Sequence, residues 1–225
     1  MDPSARVYSS FKLYFYDFVV LVVSNALAWR CSTRAVLLPF FQAHIGERTH
    51  LDIGVGTGYY PAHSILKLAR TTHVTLFDLN PATLHSAEQR LRTAGYNGVI
   101  EKVERSIFLP LPESLQAKFD SISLFYVFHC LPGSFPEKAI SVFTVAAAGL
   151  APGGVLYGAT ILGQGVHHNW FGRQLMAFYN KKGIFGNTKD SAENLELALK
   201  ECFEDVKIRV VGMAALFEAR GPISK

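Results

Sequence analysis

Cysteine is scarce in this sequence of 225 residues, with only Cys31, Cys130 and Cys202. An odd number of widely separated thiols builds no disulfide framework and no close-paired zinc site, and suits a reducing, cytoplasmic setting. Cys130 follows an apolar run and reads as a small buried hydrophobe. Excess charge of one sign is also missing: 22 Lys and Arg against 18 Asp and Glu leave a net +4. Without a basic stripe to neutralise phosphates, nucleic acid is not an expected partner. The longest apolar stretch, Leu13 to Trp29, contains Asp17, which would cost about 3 kcal/mol in hydrocarbon. A buried or lid-forming helix is expected there instead of a transmembrane segment. The opening MDPSARVYSS lacks the charged, apolar, small-residue order of a secretory signal. Linkers rich in Gly, Ser or Pro, repeats and low-complexity tracts are missing too. A single domain over residues 1–225 is therefore expected, with a helical cap over 1–47 and an α/β core over 48–225.

What is present is a globular composition, 49% hydrophobic and 18% charged, and an alternation of β runs with amphipathic helices beginning at His50. His50–Ile53, His73–Asp78, Val99–Val103, Phe119–Phe128 and Val155–Ile161 read as strands. Helices are expected over Tyr59–Arg70, from Pro81 to Gly95 with Asn80 as cap, and over Pro136–Leu150, His168–Asn180 and Ala192–Cys202. The apolar fourth strand belongs in the middle of a parallel sheet covered on both faces. Val206–Val211 and Met213–Phe217, parted only by Gly212, can pair only as an antiparallel hairpin.

The chemistry concentrates in Leu51–Asp52–Ile53–Gly54–Val55–Gly56–Thr57–Gly58–Tyr59, a strand running through alternate glycines into a helix. In an open parallel sheet this turn lies at the carboxyl edge, where ligands bind. Asp78 ends the next strand, where a carboxylate can accept both hydroxyls of a ribose. Turn, helix and second acid together point to a nucleoside cofactor. A dinucleotide turn would place its third glycine where Tyr59 stands, which argues against a nicotinamide enzyme.

The Asp-x-Gly-x-Gly-x-Gly form resembles the first motif of class I S-adenosylmethionine-dependent methyltransferases. The likeness runs from about Tyr8 to the C-terminus and takes in Asp78–Leu79–Asn80, Phe119–Asp120, Leu150–Gly154 and the closing hairpin. The string Phe125–Gly133 is similar to the fourth motif of the small natural-product and quinone-type members. This resemblance implies a Rossmann-like, seven-stranded, mostly parallel sheet with an antiparallel last strand and a helical N-terminal lid. It implies that Asp52, Gly54, Gly56 and Gly58 surround the methionine of the cofactor, with Tyr59 opening the helix behind them. Asp78 would hold the ribose, Leu79 the adenine face, and Ser106 and Ile107 the adenine edge. Ser106 departs from the acid common at that point and offers a weaker contact. Tyr126 and His129 would lie near the methyl donor.

The activity implied is methyl transfer from S-adenosyl-L-methionine to a small, fairly apolar acceptor, releasing S-adenosyl-L-homocysteine, without a metal. A cofactor-dependent cyclase and a non-catalytic protein of the same fold are the alternatives. In-line positioning does most of such a reaction. A hydroxyl or carbon acid also needs a base, for which His129 is the candidate, with packing against the cofactor its other reading. Substrate candidates are His167 and His168, adjacent and so diverging on a helix, and Tyr8, Tyr16 and Asp17 in the lid. Tyr14, Asp17, Leu21 and Asn25 share one helical face. Trp170, Phe171, Met176, Phe178 and Tyr179 read as helix core more than as a substrate box. The partner expected is the acceptor, with a homodimer admissible.

Overall fold

The computed structural model describes residues 24–223; Tyr8, Tyr14, Tyr16, Asp17 and Leu21 lie outside them. The described chain starts with two π-type turns, residues 24–28 and Thr33–Leu37, the second capped by Ser32, whose hydroxyl accepts from Ala35 N–H at 3.2 Å. Helix α1, Leu38–His44, follows. The core then runs β1 (Thr49–Ile53), α2 (Tyr59–Ala62), α3 (Ile65–Leu68), β2 (His73–Asp78), α4 (Pro81–Thr93), β3 (Val99–Glu104) and β4 (Phe119–Phe125). It closes with α5 (Glu137–Gly149), β5 (Leu150–Ile161), α6 (Trp170–Lys181), α7 (Ala192–Cys202), β6 (Phe203–Val211) and β7 (Ala214–Pro222).

The strands form one seven-stranded sheet in the order β3-β2-β1-β4-β5-β7-β6. Strands β1 to β5 are parallel and β7 runs antiparallel to both β5 and β6. The direction of chain travel reverses between β1 and β4, so the ligand crevice of such a sheet opens at their carboxyl ends. Alternation along the strands sorts side chains to two faces. Leu51, Ile53, Ile122 and Leu124 face the core shared with Ala139, Val142 and Phe143 of α5 and Leu195 and Leu199 of α7. On the other face Phe125 and Tyr157 pack with Phe41 of α1 and Tyr59 and Tyr60 of α2, while Val74 and Leu76 pack with Leu84, Ala87 and Leu91 of α4. Fully burying one such aliphatic or aromatic side chain stabilises by about 1.5–3 kcal/mol.

Several expectations are corrected. The helix expected over Tyr59–Arg70 is broken at His63–Ser64: Ser64 N–H donates to Pro61 O (3.1 Å), and the His63 carbonyl accepts from Gln42 Nε2 (3.0 Å) and is drawn out of the helical ladder. Strand β4 stops at Phe125 because Tyr126 turns the chain with φ +60. The helix expected from His168 starts at Trp170, capped by Asn169, whose side chain accepts from Gly172 N–H at 2.6 Å. His167 and His168 therefore sit in the preceding loop. Cys130 is exposed, because it ends the short turn Phe128–Cys130 beyond the strand.

Candidate active site

The glycine turn after β1 is left-handed at all three alternate positions, with φ +68 at Gly54, +54 at Gly56 and +71 at Gly58. Non-glycine residues pay a steric penalty there. The three differ in surroundings. A Cβ on Gly54 would lie 2.5 Å from Val127 Cγ2, and one on Gly58 would lie 2.9 Å from Ala87 Cα, so both glycines let protein approach protein. A Cβ on Gly56 would meet no atom of the described residues within 4 Å. Gly56 is thus the position whose missing side chain leaves open space at the sheet edge.

Asp52 and Asp78 flank this turn. The Asp78 carboxylate accepts from Asn80 N–H (2.9 Å) and Gly56 N–H (3.4 Å), which aligns it with the glycine turn. Burial raises the Asp78 pKa against these hydrogen bonds. Leu79, the next residue, is 56% exposed, an apolar side chain held out at the carboxyl end of β2. Asp52 is buried on the α1 side of the sheet and accepts from the Ser123 hydroxyl at 2.5 Å. With the Ser123 proton committed there, Ser123 Oγ accepts from His50 Nε2 (3.2 Å), so His50 Nδ1 accepts from the Ser121 hydroxyl (2.8 Å). Burial raises Asp52 to about 7, opposed by Ser123 and reinforced by the Asp78 charge, and burial lowers His50 to about 3.

Tyr59, opening α2, stacks on His63 (4.0 Å between centroids) and lies under the Arg90 guanidinium (5.3 Å), so its ring braces α2 against α4. Ser106 accepts from Phe108 N–H at 3.3 Å within its own turn, and Ile107 is buried in the core. Phe108 and Leu109 are the exposed apolar groups of that turn and carried no periodic signal.

Past β4, Tyr126 holds a left-handed backbone that a bulky residue rarely adopts, and such strain is retained where surrounding structure demands it. Its N–H donates to Ala159 O at 2.7 Å. Its buried hydroxyl finds no hydrogen-bond partner among the described residues, and burial, with Tyr60 and Cys31 nearby, holds the phenol well above its usual pKa. His129 is 4% exposed and packs edge-on against Tyr126 (5.4 Å) and Phe185 (4.4 Å). Its Nδ1 is buried and without a hydrogen-bond partner among the described residues, and burial, then the Lys138 ammonium, lowers its pKa to about 3. The imidazole is therefore neutral at physiological pH. Phe185, Gly186 and Lys138 gave no signal in the sequence, because they meet His129 only through the tertiary fold.

The remaining candidates are further out. His168 Nε2 meets Gly163 O at 3.2 Å, and His167 is exposed. The helix-core reading of the α6 apolar set is corrected: Trp170, Phe171 and Phe178 are exposed, while Met176 is buried with Ala28, Trp29 and Met213. Met213 N–H donates to Trp29 O (2.8 Å) and Asn169 Nδ2 donates to Leu27 O (2.7 Å), which seats the segment before β1 on the carboxyl edge.

The open side of Gly56, the adjacent carboxylates of Asp52 and Asp78 and the exposed Leu79 fit a ligand with a cationic amino-acid tail, a ribose and a flat base, the three parts of S-adenosylmethionine. A family model described as "Methyltransferase domain" matches residues 51–156. The chain is 41% identical over 225 residues to the physcion biosynthesis cluster O-methyltransferase of Aspergillus chevalieri, covering 99% of this chain and 98% of that protein. The chain belongs to the S-adenosylmethionine-dependent methyltransferases. A second relative by sequence is the Escherichia coli K12 protein YbcY, 49% identical over 199 residues, 88% of this chain and 98% of that one. The methyltransferase fold is shared with N-methyltransferase NodS of Bradyrhizobium japonicum WM9, solved with S-adenosyl-L-homocysteine. That match has a TM-score of 0.57 and 17% identity, covering 83% of this chain and 85% of that one. S-adenosylmethionine is the cofactor and the methyltransferase acts on a small acceptor. No helix among the described residues is long and apolar enough to cross a membrane.

Proposed function

We propose that this methyltransferase methylates a hydroxyl oxygen on a small, flat aromatic acceptor of the natural-product kind. The observation that carries the reading is His129, a buried neutral imidazole whose Nδ1 has no partner among the described residues, set in an aromatic wall of Tyr126 and Phe185. Trp29 (6.1 Å) and Tyr179 (4.8 Å) extend that wall from Phe185. Aromatic faces favour stacked or edge-on rings, and an orphaned buried nitrogen favours a ligand hydroxyl. The naming of the Aspergillus chevalieri relative as an O-methyltransferase supports oxygen as the methylated atom.

In this reading Asp52 faces the ammonium of the cofactor, the Gly56 turn its methionine chain, Asp78 its ribose and Leu79 its adenine, with Gly54 and Gly58 shaping the turn and Ser106 and Ile107 closing the adenine edge. When bound, the cofactor supplies a methyl made electrophilic by a sulfonium. His129 Nδ1 accepts a hydrogen bond from the acceptor hydroxyl and orients the oxygen. A base with so low a pKa removes little proton in advance. It is adequate once the oxygen becomes strongly acidic as its bond to carbon forms, and the proton then passes to Nδ1. Tyr126 and the segment Leu27–Trp29 exclude water. His167 and His168 stand at the outer rim.

The test is the mass of the product from phenol, 2-naphthol and 1-hydroxyanthraquinone, each incubated with the enzyme and S-adenosylmethionine beside the matching aryl amines. The reading expects one added CH2 on the oxygen of the larger phenols, with S-adenosylhomocysteine released. Methylation only of the amines, or a rearranged acceptor with the cofactor intact, would overturn it.

A further inference from the structure

Lys138 on α5 and Asp190 before α7 form a buried ion pair, Nζ to Oδ2 2.7 Å, with side chains 2% and 0% exposed. A buried pair is seldom worth more to stability than apolar residues of equal volume, so its value lies in what it holds in place. The ammonium has three protons, and its remaining partners are Gly186 O (2.8 Å) and, at longer range, Leu131 O (3.5 Å). On the other side, Asp190 Oδ1 accepts from Phe135 N–H (3.2 Å), and Asp190 O accepts from Gly163 N–H (2.9 Å) and Gln164 N–H (3.1 Å). One pair thus ties together the loop after β4, the loop after β5 and the segment after α6.

That last segment is the one that touches His129. Gly186 N–H donates to His129 O at 2.8 Å, while the Phe185 ring lies 4.4 Å from the imidazole. The approach is too close for a side chain at 186, where a Cβ would fall 2.9 Å from Leu131 O. Gly186 is therefore gripped by its N–H to His129 and by its carbonyl to Lys138, which fixes the backbone from which the Phe185 ring reaches the imidazole.

We propose that the Lys138–Asp190 pair is a latch that positions Phe185 against His129 and so sets the width of the acceptor space. Lys138 and Asp190 are positioning residues that touch no reactant, and Phe185 selects acceptors by size. The size selection rests on the acceptor reading given above, whereas the latch itself does not.

Lys138→Met alone strands a buried carboxylate and invites unfolding, so the decisive variant is Lys138→Met/Asp190→Leu, which removes both charges. Lys138→Arg is the conservative control. Hydrogen exchange in the double variant is expected to speed up about tenfold or more over residues 184–190, with β1 and β4 unchanged. Affinity for S-adenosylhomocysteine stays within about twofold, while the preference between 2-naphthol and 1-hydroxyanthraquinone, as kcat/KM, shifts by about tenfold. Phe185→Ala shifts that preference without the exchange change, and Lys138→Arg restores both readouts. Unchanged exchange over 184–190, or faster exchange in every strand with a parallel loss of S-adenosylhomocysteine binding, overturns the latch. If the wild-type enzyme methylates none of the phenols yet the exchange pattern holds, the phenol reading fails and the latch stands.

Discussion

Two glycines two residues apart should fail in opposite ways when given a methyl group. Gly58→Ala places a Cβ 2.9 Å from Ala87 Cα and 3.0 Å from Ala87 Cβ, so α4 must move. Overpacking of this kind costs about 1–3 kcal/mol, and the left-handed backbone adds about 1–2 kcal/mol. Gly56→Ala meets no atom of the described residues within 4 Å and carries only the backbone cost. Its methyl enters the space assigned to the cofactor, so it should weaken S-adenosylhomocysteine binding by about tenfold or more, roughly 1.4 kcal/mol. Urea unfolding and calorimetric titration of the two variants read the contrast directly. Gly56→Ala is expected to be the more stable and the weaker binder, and Gly58→Ala the less stable and the better binder. Wild-type affinity in Gly56→Ala would refute the placement of the ligand on that side of the turn.

His129→Asn should lower kcat by about 100-fold or more if the imidazole handles the acceptor proton, with S-adenosylhomocysteine affinity nearly unchanged; equal losses in both would mark it as packing alone. The same variant tests the burial of the ring. Its folded pKa, about 3, lies below the ordinary 6.5. Between those values the unfolded chain binds one more proton, so wild-type stability rises with pH across the window and is lost as pH falls through it. Wild type should therefore lose about 1.4 kcal/mol more per pH unit than His129→Asn between roughly pH 6 and 4. Parallel acid-unfolding curves would contradict the buried neutral state.

The parts legible in the sequence are those set by local chemistry. Strand β2 and helix α7 match their expected limits, because Asp78 and Asn80 end one element and begin the next, and Ser191 caps α7 by accepting from Asn194 N–H at 3.1 Å. The final antiparallel hairpin followed from the nearness of its two strands, although they are joined by Gly212 and Met213 where Gly212 alone was expected, and β7 begins at Ala214. The Gly-rich turn and the two acids were readable because strand, turn and helix are contiguous. Start signals misled where tertiary pairing overrides them: β5 begins at Leu150, ahead of Pro152–Gly153–Gly154, since Leu150 already pairs with Phe119 across a register shift. The left-handed Tyr126 was not readable, because nothing local favours φ +60 in a bulky residue. Lys138 and Asp190 were equally hidden, since charged residues on or beside a helix look solvated until the fold buries them together.

The account turns on the carboxylate at the end of β2 and the open glycine turn beside it gripping one nucleoside. Calorimetric titration of S-adenosylhomocysteine into wild type and Asp78→Ala measures that grip. Single-site binding is expected in the wild type, and loss of the charge-assisted ribose contact in Asp78→Ala should weaken it by about 1.5–3 kcal/mol, roughly 10- to 150-fold. An unchanged dissociation constant in the variant, or no binding heat in the wild type, would contradict it.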